Sequence, residues 1–415
     1  MPTVESRKLL FVTASAPMTD REEAFVQDEL TEMMRQGVEF RVVPMRRRLP
    51  NANTAAVHSG LSRRTIARSL LAPTVLGAAL VQLCFRPAAT LRVLFRIVTQ
   101  AGGPRNAGAN LLAFPKALWL ARLVRREGVS HVHSYWLAHT TTAAMVAAEL
   151  GNCTWSASGF RWDIDANNCL SMKLHRASFI RVADEFGLTL LSAKAEQDGI
   201  DTPILLIRTG VAVPTAEELH QRPLLREFCC PGAFVEKKAQ RIVVDAFALI
   251  HPAFSDSRLH FFGDGQLRSS VEQQVRTLNL DTVVEFHGTV PLDEFREFLQ
   301  LRPITLLPSI ITEGGEQEGI PVVLVEAMAN GSPVVSTDTG AIAHLVADGC
   351  GTLVEPGSAG ALATAMRDLL EQDPLVTEAQ CLKAHQRVVS EFSLSETAAA
   401  LARNCLRSAV SPDDR

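Results

Sequence analysis

The sequence predicts an α/β protein made of two doubly wound parallel-sheet domains. Three observations carry this expectation. Short apolar runs alternate with stretches of helical period, in two separate series. A polar stretch over 209–223, with Gly210, Pro214 and Pro223, divides the series. A loop that turns into a helix near Pro321 carries glutamates on both sides of the turn. Ligands in such sheets bind beyond the carboxyl ends of the strands, and two such domains imply a cleft between them.

The first series opens with the apolar run Lys8–Ala14, a buried strand. Residues 22–36 place Phe25, Val26, Leu30, Met33 and Met34 at helical spacing, and Gly37 suits the helix end. Strands are then expected at 38–45, 131–136, 154–158, 179–183 and 204–208, with helical crossovers between them. After the linker, strands are expected at 227–231, 258–262, 283–288, 304–307, 333–337 and 352–355. Residues 359–372 and 397–407 read as helices. Parallel strands with helical crossovers make a layered α/β fold.

The chain has 415 residues, enough for two to three domains, with 47% hydrophobic and 21% charged residues. A net charge of −4 argues against a dedicated nucleic-acid binder, so no nucleic acid is expected as partner. Eight cysteines without a Cys-x-x-Cys pair are too sparse for a disulfide scaffold, and adjacent Cys229 and Cys230 read as buried strand residues. Met1–Leu10 lacks the basic start and apolar run of a secretory signal. The longest run free of Asp, Glu, Lys, Arg and His, 69–85, has 17 residues including Pro73 and Gln82, short of the roughly 20 needed to span a bilayer. A cytoplasmic protein is the expectation.

The informative stretch is Glu316-Gln-Glu318-Gly-Ile-Pro-Val-Val-Leu-Val-Glu326-Ala-Met-Ala-Asn-Gly331-Ser-Pro-Val-Val335. Gly319 and Pro321 mark a loop entering a helix, expected from Pro321 to Ala329 and ended by Gly331. Its first amide groups and positive dipole end make an anion site. A carboxylate on each flank would hold sugar hydroxyls, so the segment suits a diphosphate bearing a sugar at each end. From spacing alone, Glu318 as a solvated loop residue and Glu326 as an ordinary helix-face residue would be the simpler account.

The surrounding residues resemble the retaining glycosyltransferases of family four, which have the GT-B architecture. The likeness lies in two glutamates separated by seven residues, followed by Ala-Met-Ala-x-Gly-x-Pro-Val-Val, and extends through Gly340, Asp348-Gly349, Leu353-Val354 and Pro356. Gly210-Val211, Gly263-Asp-Gly265, Phe286-His-Gly288 and Leu307-Pro-Ser309 fall in the family's order, and Glu23-Ala-Phe25, His131-Val-His133 and Trp162-Asp163-Ile164 add weaker matches. The resemblance implies two Rossmann-like domains: an acceptor-side domain at 1–215, a nucleotide-sugar domain at 216–385, and a C-terminal helix at 386–415 packing back on the first.

It further implies transfer of a hexose or related sugar from a nucleoside diphosphate donor to a glycan, lipid-linked or small-molecule acceptor, with retention and by a front-face route. Glu326 would hold the donor ribose. Glu318 would contact the donor sugar, with amides near Gly319 and Ile320. The pyrophosphate would rest on the helix start at Pro321 and on Lys238, with Lys237, Gly232 and Gly288 completing the donor site. Glu318 and Lys238 are the catalytic candidates. No metal or other cofactor is implied, because the helix dipole and basic side chains stabilise the departing phosphate. Asp163, Phe160, Arg161 and His133 would lie on the acceptor side.

Three positions depart from the family pattern. Ala233 follows Gly232 where an arginine is usual; loss of one phosphate cation is worth ~2–4 kcal/mol of transition-state stabilisation. Phe160 stands where a histidine is common, and an apolar ring neither bonds a sugar hydroxyl nor acts as a base. His344 replaces a carboxylate in Ala343-His-Leu-Val346. The alternatives are redirected chemistry, a catalytically impaired nucleotide-sugar binding or partner protein, and an epimerase on the same scaffold. Lys238, Glu318 and Glu326 favour catalysis.

The near-neutral total hides an asymmetry. From Arg46 to Arg126 there are fourteen Lys/Arg and no Asp or Glu. Interleaved with Leu, Ile, Val and Phe, this region 46–126 reads as an interfacial surface for anionic lipid, as a groove for an anionic glycan, or as a solvated helix face. His131 and His133 alternate on one strand but lack a third metal ligand at sequence spacing.

Overall fold

The structure, a computed structural model, describes residues 7–16, 23–47 and 59–409. The chain divides into two compact units: Met1–Gly210 with Leu394–Arg415, and Val211–Ser393. Unit 1 holds strands β1 (Leu9–Ala16), β2 (Phe40–Arg47), β3 (His131–Tyr135), β4 (Thr154–Gly159), β5 (Ile180–Val182) and β6 (Ile204–Leu206). They form one parallel sheet in the order β2-β1-β3-β4-β5-β6. Unit 2 holds β7 (Leu225–Pro231), β8 (Leu259–Phe262), β9 (Val284–Gly288), β10 (Pro303–Leu307), β11 (Val334–Thr337) and β12 (Thr352–Val354). Their order is β12-β11-β10-β7-β8-β9, again all parallel.

Both faces of each sheet are covered, which is why the strands read as continuous apolar runs. In β1, Leu10 and Val12 pack into one core cluster while Leu9 and Phe11 pack into another. The second of these is closed by the C-terminal helix Leu394–Ser408, through Ala398, Leu401, Ala402 and Cys405. In unit 2, Cys230 and Cys229 likewise face opposite clusters.

The domain boundaries differ from those expected. The stretch 211–223 is not a free linker. Val211 N–H donates to the Phe392 carbonyl at 2.8 Å, and Thr215 caps the helix Ala216–His220. Arg302 donates to the carbonyls of Leu219 and Arg222 at 3.2 and 2.8 Å, tying this stretch to unit 2. At the other end, position 386 falls inside the helix Pro374–Glu391, whose Ala384 and Val388 belong to a unit 2 core. The chain changes unit at Ser393/Leu394 instead.

The uncharged run 69–85 becomes a helix of only 13 residues, Pro73–Phe85, and a second helix, Pro87–Thr99, follows at a bend of 112°. Among the described residues no single helix is long and apolar enough to cross a membrane. Part of the basic set is spent internally. Lys116 is fully buried and donates to the carbonyls of Pro44, Met45 and Arg68. Arg96 pairs with Glu149, and Arg125 donates to the Leu150 carbonyl at 2.8 Å. Residues 48–58 of this region lie outside the described residues.

Candidate active site

In unit 2 the chain starts at β7 and builds outward in both directions, so the sheet order reverses between β7 and β10. The space beyond the carboxyl ends of these two strands is the expected ligand position. Lys237, Lys238, Glu318, Gly319, Ile320 and Pro321, candidates named from sequence, lie on the chain segments that follow these two strands. The β7 loop runs through Gly232 (φ +147) into a short 3-10 turn, Glu236–Lys238. Gln240 Nε2 donates back to the Ala233 carbonyl at 2.8 Å and holds the loop. The β10 loop is tied to it, because Ile310 N–H donates to the Lys237 carbonyl at 2.9 Å.

That tie brings the catalytic candidates together. Glu318 Oε1 lies 3.1 Å from Lys238 Nζ and 3.6 Å from Lys237 Nζ. The glutamate is 7% exposed, so its charge is held in a largely desolvated place between two cations. Behind it stands Gly340, at φ +58, where an added Cβ would collide with the Glu318 carbonyl. Only glycine allows that approach.

Pro321 is the N-cap of the helix Val322–Ala329 rather than its first residue. Proline supplies no capping side-chain bond, and the Leu324 amide turns back to the Pro321 carbonyl at 3.0 Å, which leaves the Val322 and Val323 amides as the donors for an anion. Gly319 and Ile320, half-buried, lead into this turn. Five residues in, buried Glu326 meets an arginine that sequence reading did not single out. Arg296, on the helix Leu292–Leu299, places Nε 2.9 Å and Nη2 2.8 Å from Glu326 Oε1. No local motif announces it, since the pairing joins helices 30 residues apart.

The glycines of the neighbouring loops serve close backbone approach. Gly263 and Gly265, at φ +133 and +159, let the β8 loop press on the β7 loop; a Cβ on Gly265 would sit 2.7 Å from the Phe234 carbonyl oxygen. Gly232 N–H donates to the Phe262 carbonyl at 2.8 Å, and Gly263 N–H to the Gly288 carbonyl at 2.7 Å. Gly288 is therefore a backbone staple at the end of β9. His344 is half-exposed, with Nε2 3.7 Å from Glu391 Oε2.

Unit 1 has its own reversal, between β1 and β3. Trp136, the residue after β3, has φ +72, an outlier for a bulky side chain. It is over-determined by its partners: its amide donates to the Ser158 carbonyl at 2.9 Å and its Nε1–H to Glu23 Oε1 at 3.2 Å. Glu23 also accepts from the Ala14 amide at 3.0 Å and from Ser15 Oγ. Phe160 packs on this tryptophan, with ring centroids 4.7 Å apart, and on Phe25 at 5.2 Å. Arg161 stacks its guanidinium 4.1 Å from the Phe186 ring centroid. Trp136 was legible only as a strand end, because a left-handed φ at tryptophan has no sequence signal.

Two residues expected on the acceptor side are structural instead. Asp163 is fully buried and caps backbone: Oδ1 accepts from Phe160 N–H at 2.6 Å and Oδ2 from Leu137 N–H. Burial pushes its carboxyl up to about 7, against the pull of these amides and of Lys173. Lys173, lowered to about 7 by burial, donates to the carbonyls of Leu137 and Ala138 at 2.6 and 2.9 Å. His133 is 1% exposed, with Nδ1 2.7 Å from Ser156 Oγ and Nε2 2.9 Å from Ser158 Oγ. Both ring nitrogens are thus engaged inside the sheet. His131 continues the ladder, with Nε2 2.7 Å from Ser156 Oγ and Nδ1 2.9 Å from Thr154 Oγ1. The fold does bring a third ligand type, Cys405, to this histidine pair. The Ser156 hydroxyl, however, already bridges the two rings.

Comparisons with known proteins agree with this geometry. Residues 226–372 match the family model of the glycosyl transferases group 1. This segment of unit 2 is similar to the group 1 glycosyl transferases. The putative colanic acid biosynthesis glycosyltransferase WcaL of Salmonella typhimurium is 33% identical over 168 residues, 40% of this chain and 41% of that protein. The amylovoran biosynthesis glycosyltransferase AmsK of Erwinia amylovora is 31% identical over 178 residues, 43% of each chain. The chain thus spans about two fifths of the length of these curated relatives. Among solved structures, Anabaena HepE in complex with UDP-glucose superposes with a TM-score of 0.67 at 15% identity, over 96% of this chain and 99% of that one. Sucrose-phosphate synthase from Thermosynechococcus elongatus gives 0.66 at 18% identity, over 96% and 98%. These likenesses establish the GT-B fold of the whole chain. In this GT-B protein the matched segment contains Lys238, Glu318 and Glu326, so the family match and the convergent loops fall on the same residues.

Proposed function

We propose that this GT-B protein transfers a sugar from a nucleoside diphosphate sugar to a glycan, lipid-linked or small-molecule acceptor in glycoconjugate synthesis. The observation that carries the reading is the Lys238–Glu318 pair at the β7/β10 reversal, beside the uncapped helix start at Pro321. Charge building on a departing diphosphate would be met by Lys238, Lys237 and the first-turn amides. With that positive charge in place the reaction needs no resident metal. Glu318, already oriented by the two lysines, would meet the donor sugar, and Glu326, clamped by Arg296, would hold ribose hydroxyls. Retention through a front-face route follows if the leaving phosphate accepts the acceptor proton. The relatives named above are glycosyltransferases of colanic acid and amylovoran biosynthesis, and HepE was solved with UDP-glucose, which supports a nucleotide-sugar donor.

The test is a thermal-shift panel of uridine, guanosine, adenosine and thymidine diphosphates and their sugars, followed by assay of donor hydrolysis. A shift with one nucleotide, abolished by Glu326→Ala, and slow hydrolysis of its sugar are expected. Silence across the whole panel would sink the reading. A second reading, a nucleotide-sugar binder with impaired catalysis, is favoured by Ala233 and Phe160. It predicts nucleotide binding without turnover, and Ala233→Arg would then restore measurable hydrolysis.

The protein is further proposed to act at the inner face of a membrane. Leu80, Phe85, Leu91 and Phe95 are 63%, 81%, 55% and 69% exposed on the helices Pro73–Phe85 and Pro87–Thr99. Arg86 and Arg92, also exposed, stand among them, and no acidic residue occurs from 46 to 126. Apolar side chains entering the acyl boundary beside cations suit an anionic bilayer. A basic groove for an anionic glycan would not need the exposed phenylalanines.

A further inference from the structure

On one face of the unit 2 sheet, the adjacent strands β7, β8 and β9 each contribute a polar ligand-type side chain. Glu227 lies on β7, His260 on β8, and Glu285 and His287 on β9. The register pairs Cys229 with His260 and His260 with Glu285, so alternate residues of the three strands share this face. The β8/β9 register shifts between Phe261 and Phe262: Phe261 pairs with Phe286 but Phe262 with Gly288. His287 is thus the extra residue of a bulge, and bulges re-aim side chains.

Three ligand atoms meet there. His260 Nδ1 lies 3.0 Å from His287 Nε2 and 3.7 Å from Glu285 Oε2, and His287 Nε2 lies 3.8 Å from the same oxygen. A tetrahedral ion with bonds of about 2.0–2.1 Å has ligand–ligand edges of about 3.3 Å, inside this range. The outer contact is equally specific. His260 Nε2 lies 2.8 Å from Glu227 Oε2. A carboxylate there keeps the proton on Nε2 and leaves Nδ1 with its lone pair aimed at His287.

Apolar packing holds the rings in place. The His287 ring stacks on Phe262, centroids 4.4 Å apart and planes 6° from parallel, and His260 packs on Phe298 at 5.1 Å. The His260 side chain is only 7% exposed, while His287 and Glu285 are 29% and 49% exposed. An ion would therefore have an entry path and room for water at a fourth position.

We propose that His260 Nδ1, His287 Nε2 and Glu285 form a site for a divalent transition ion of the zinc type, with Glu227 as the residue that orients His260. Two imidazoles and one carboxylate suit Zn²⁺, Co²⁺ or Ni²⁺ and disfavour Mg²⁺ or Ca²⁺, which take all-oxygen sites. The site is independent of the sugar-transfer reading. Its ion fastens the edge strand β9 to β8 one residue before Gly288, whose carbonyl staples the β8 loop of the donor site. The ion is structural in effect: it binds the folded sheet and raises its stability by mass action.

The experiment uses the intact chain, stripped with chelator and titrated with Zn²⁺ by calorimetry and with Co²⁺ by visible d–d absorption. One ion per chain, a four- or five-coordinate Co²⁺ spectrum and a raised melting temperature are expected. His287→Ala and Glu285→Gln, both on the exposed side of the cluster, should abolish the saturable uptake while leaving circular dichroism unchanged. Glu227→Gln should weaken binding about 10–100-fold, the usual effect of losing a carboxylate behind a ligating histidine. Absence of saturable uptake, or uptake unchanged in His287→Ala, would overturn the proposal. Equal affinity in Glu227→Gln would overturn the orienting role. Nucleotide binding provides an independent control, since it should survive in His287→Ala.

Discussion

Glu318 Oε1 sits 3.1 Å from Lys238 Nζ although the two residues lie on loops leaving different strands, 80 positions apart. The Ile310 amide to Lys237 carbonyl bond fixes the spacing of those loops. Lys238→Ala should therefore act twice, removing the cation proposed to meet the donor phosphate and releasing Glu318. Expected is a fall of about 10²–10³ in donor turnover, the scale of losing one preorganised charge-stabilising group. Lys238→Arg should recover part of it. Steady-state kinetics on the donor identified by thermal shift would show this, and a variant at wild-type rate would remove Lys238 from the mechanism.

Gly340→Ala tests the packing behind that pair. The substitution puts a Cβ against the Glu318 carbonyl and asks alanine to hold φ +58. A loss of about 1–3 kcal/mol is expected from strain of this kind. Donor affinity should fall more than global stability, because the displaced segment is the site loop. Denaturant melts and nucleotide titration on the same preparation separate the two.

Arg296→Ala removes the guanidinium that meets the largely buried Glu326 carboxylate at 2.8 and 2.9 Å. A charged hydrogen bond of this type contributes about 1.5–3 kcal/mol. Exposure of the arginine, 29% for its side chain, places the effect at the lower end. Nucleotide affinity should drop with it, and Arg296→Lys should restore less than half, since lysine lacks the forked donor geometry.

Acid should destabilise unit 1 before neutral pH is far behind. Burial lowers His131 to about 3 and His139 to about 4, and holds His133 well below its usual 6.5. Because the folded values lie under the unfolded ones, the unfolded chain binds more protons across the range from 6.5 downward. Stability is therefore complete above about pH 6.5 and falls as pH drops toward 4, by about 1.4 kcal/mol per pKa unit of each group. Asp163, raised from 3.8 to about 7, acts in the opposite direction over nearly the same window. Three histidines outweigh one aspartate, so the melting temperature should decline from pH 7.5 to pH 5. His131→Asn should flatten that slope, and an unaltered slope would refute the assignment.

Phe85→Glu with Phe95→Glu replaces two of the most exposed aromatic side chains by charges that anionic lipid repels. Co-sedimentation with vesicles containing an anionic phospholipid should be lost, while melting temperature and nucleotide binding stay unchanged. Arg86→Ala with Arg92→Ala should weaken the same binding and reduce its salt dependence. Equal sedimentation of wild type and the double glutamate variant would remove the membrane from the account.

Much of this architecture was readable along the chain. The strand positions follow from apolar runs long enough to fill a two-sided sheet, and the helix at Val322–Ala329 from Gly319, Pro321 and Gly331. The residues proposed for the donor side were nameable because Glu318, Glu326 and the loop between them are local in sequence. What the chain order did not reveal lies in pairings between elements. Arg296 with Glu326, Glu227 with His260 and His287, and the hydroxyl ladder that absorbs His133 are each made by elements distant in sequence. Local propensity and spacing encode where a strand or helix forms, because those depend on neighbours within a few residues. Which face a histidine shares, whether an aspartate caps backbone or meets solvent, and which arginine reaches a glutamate depend on register and packing. Those are properties of the assembled sheet, where a carboxylate's role is set by the groups that desolvate and pair it.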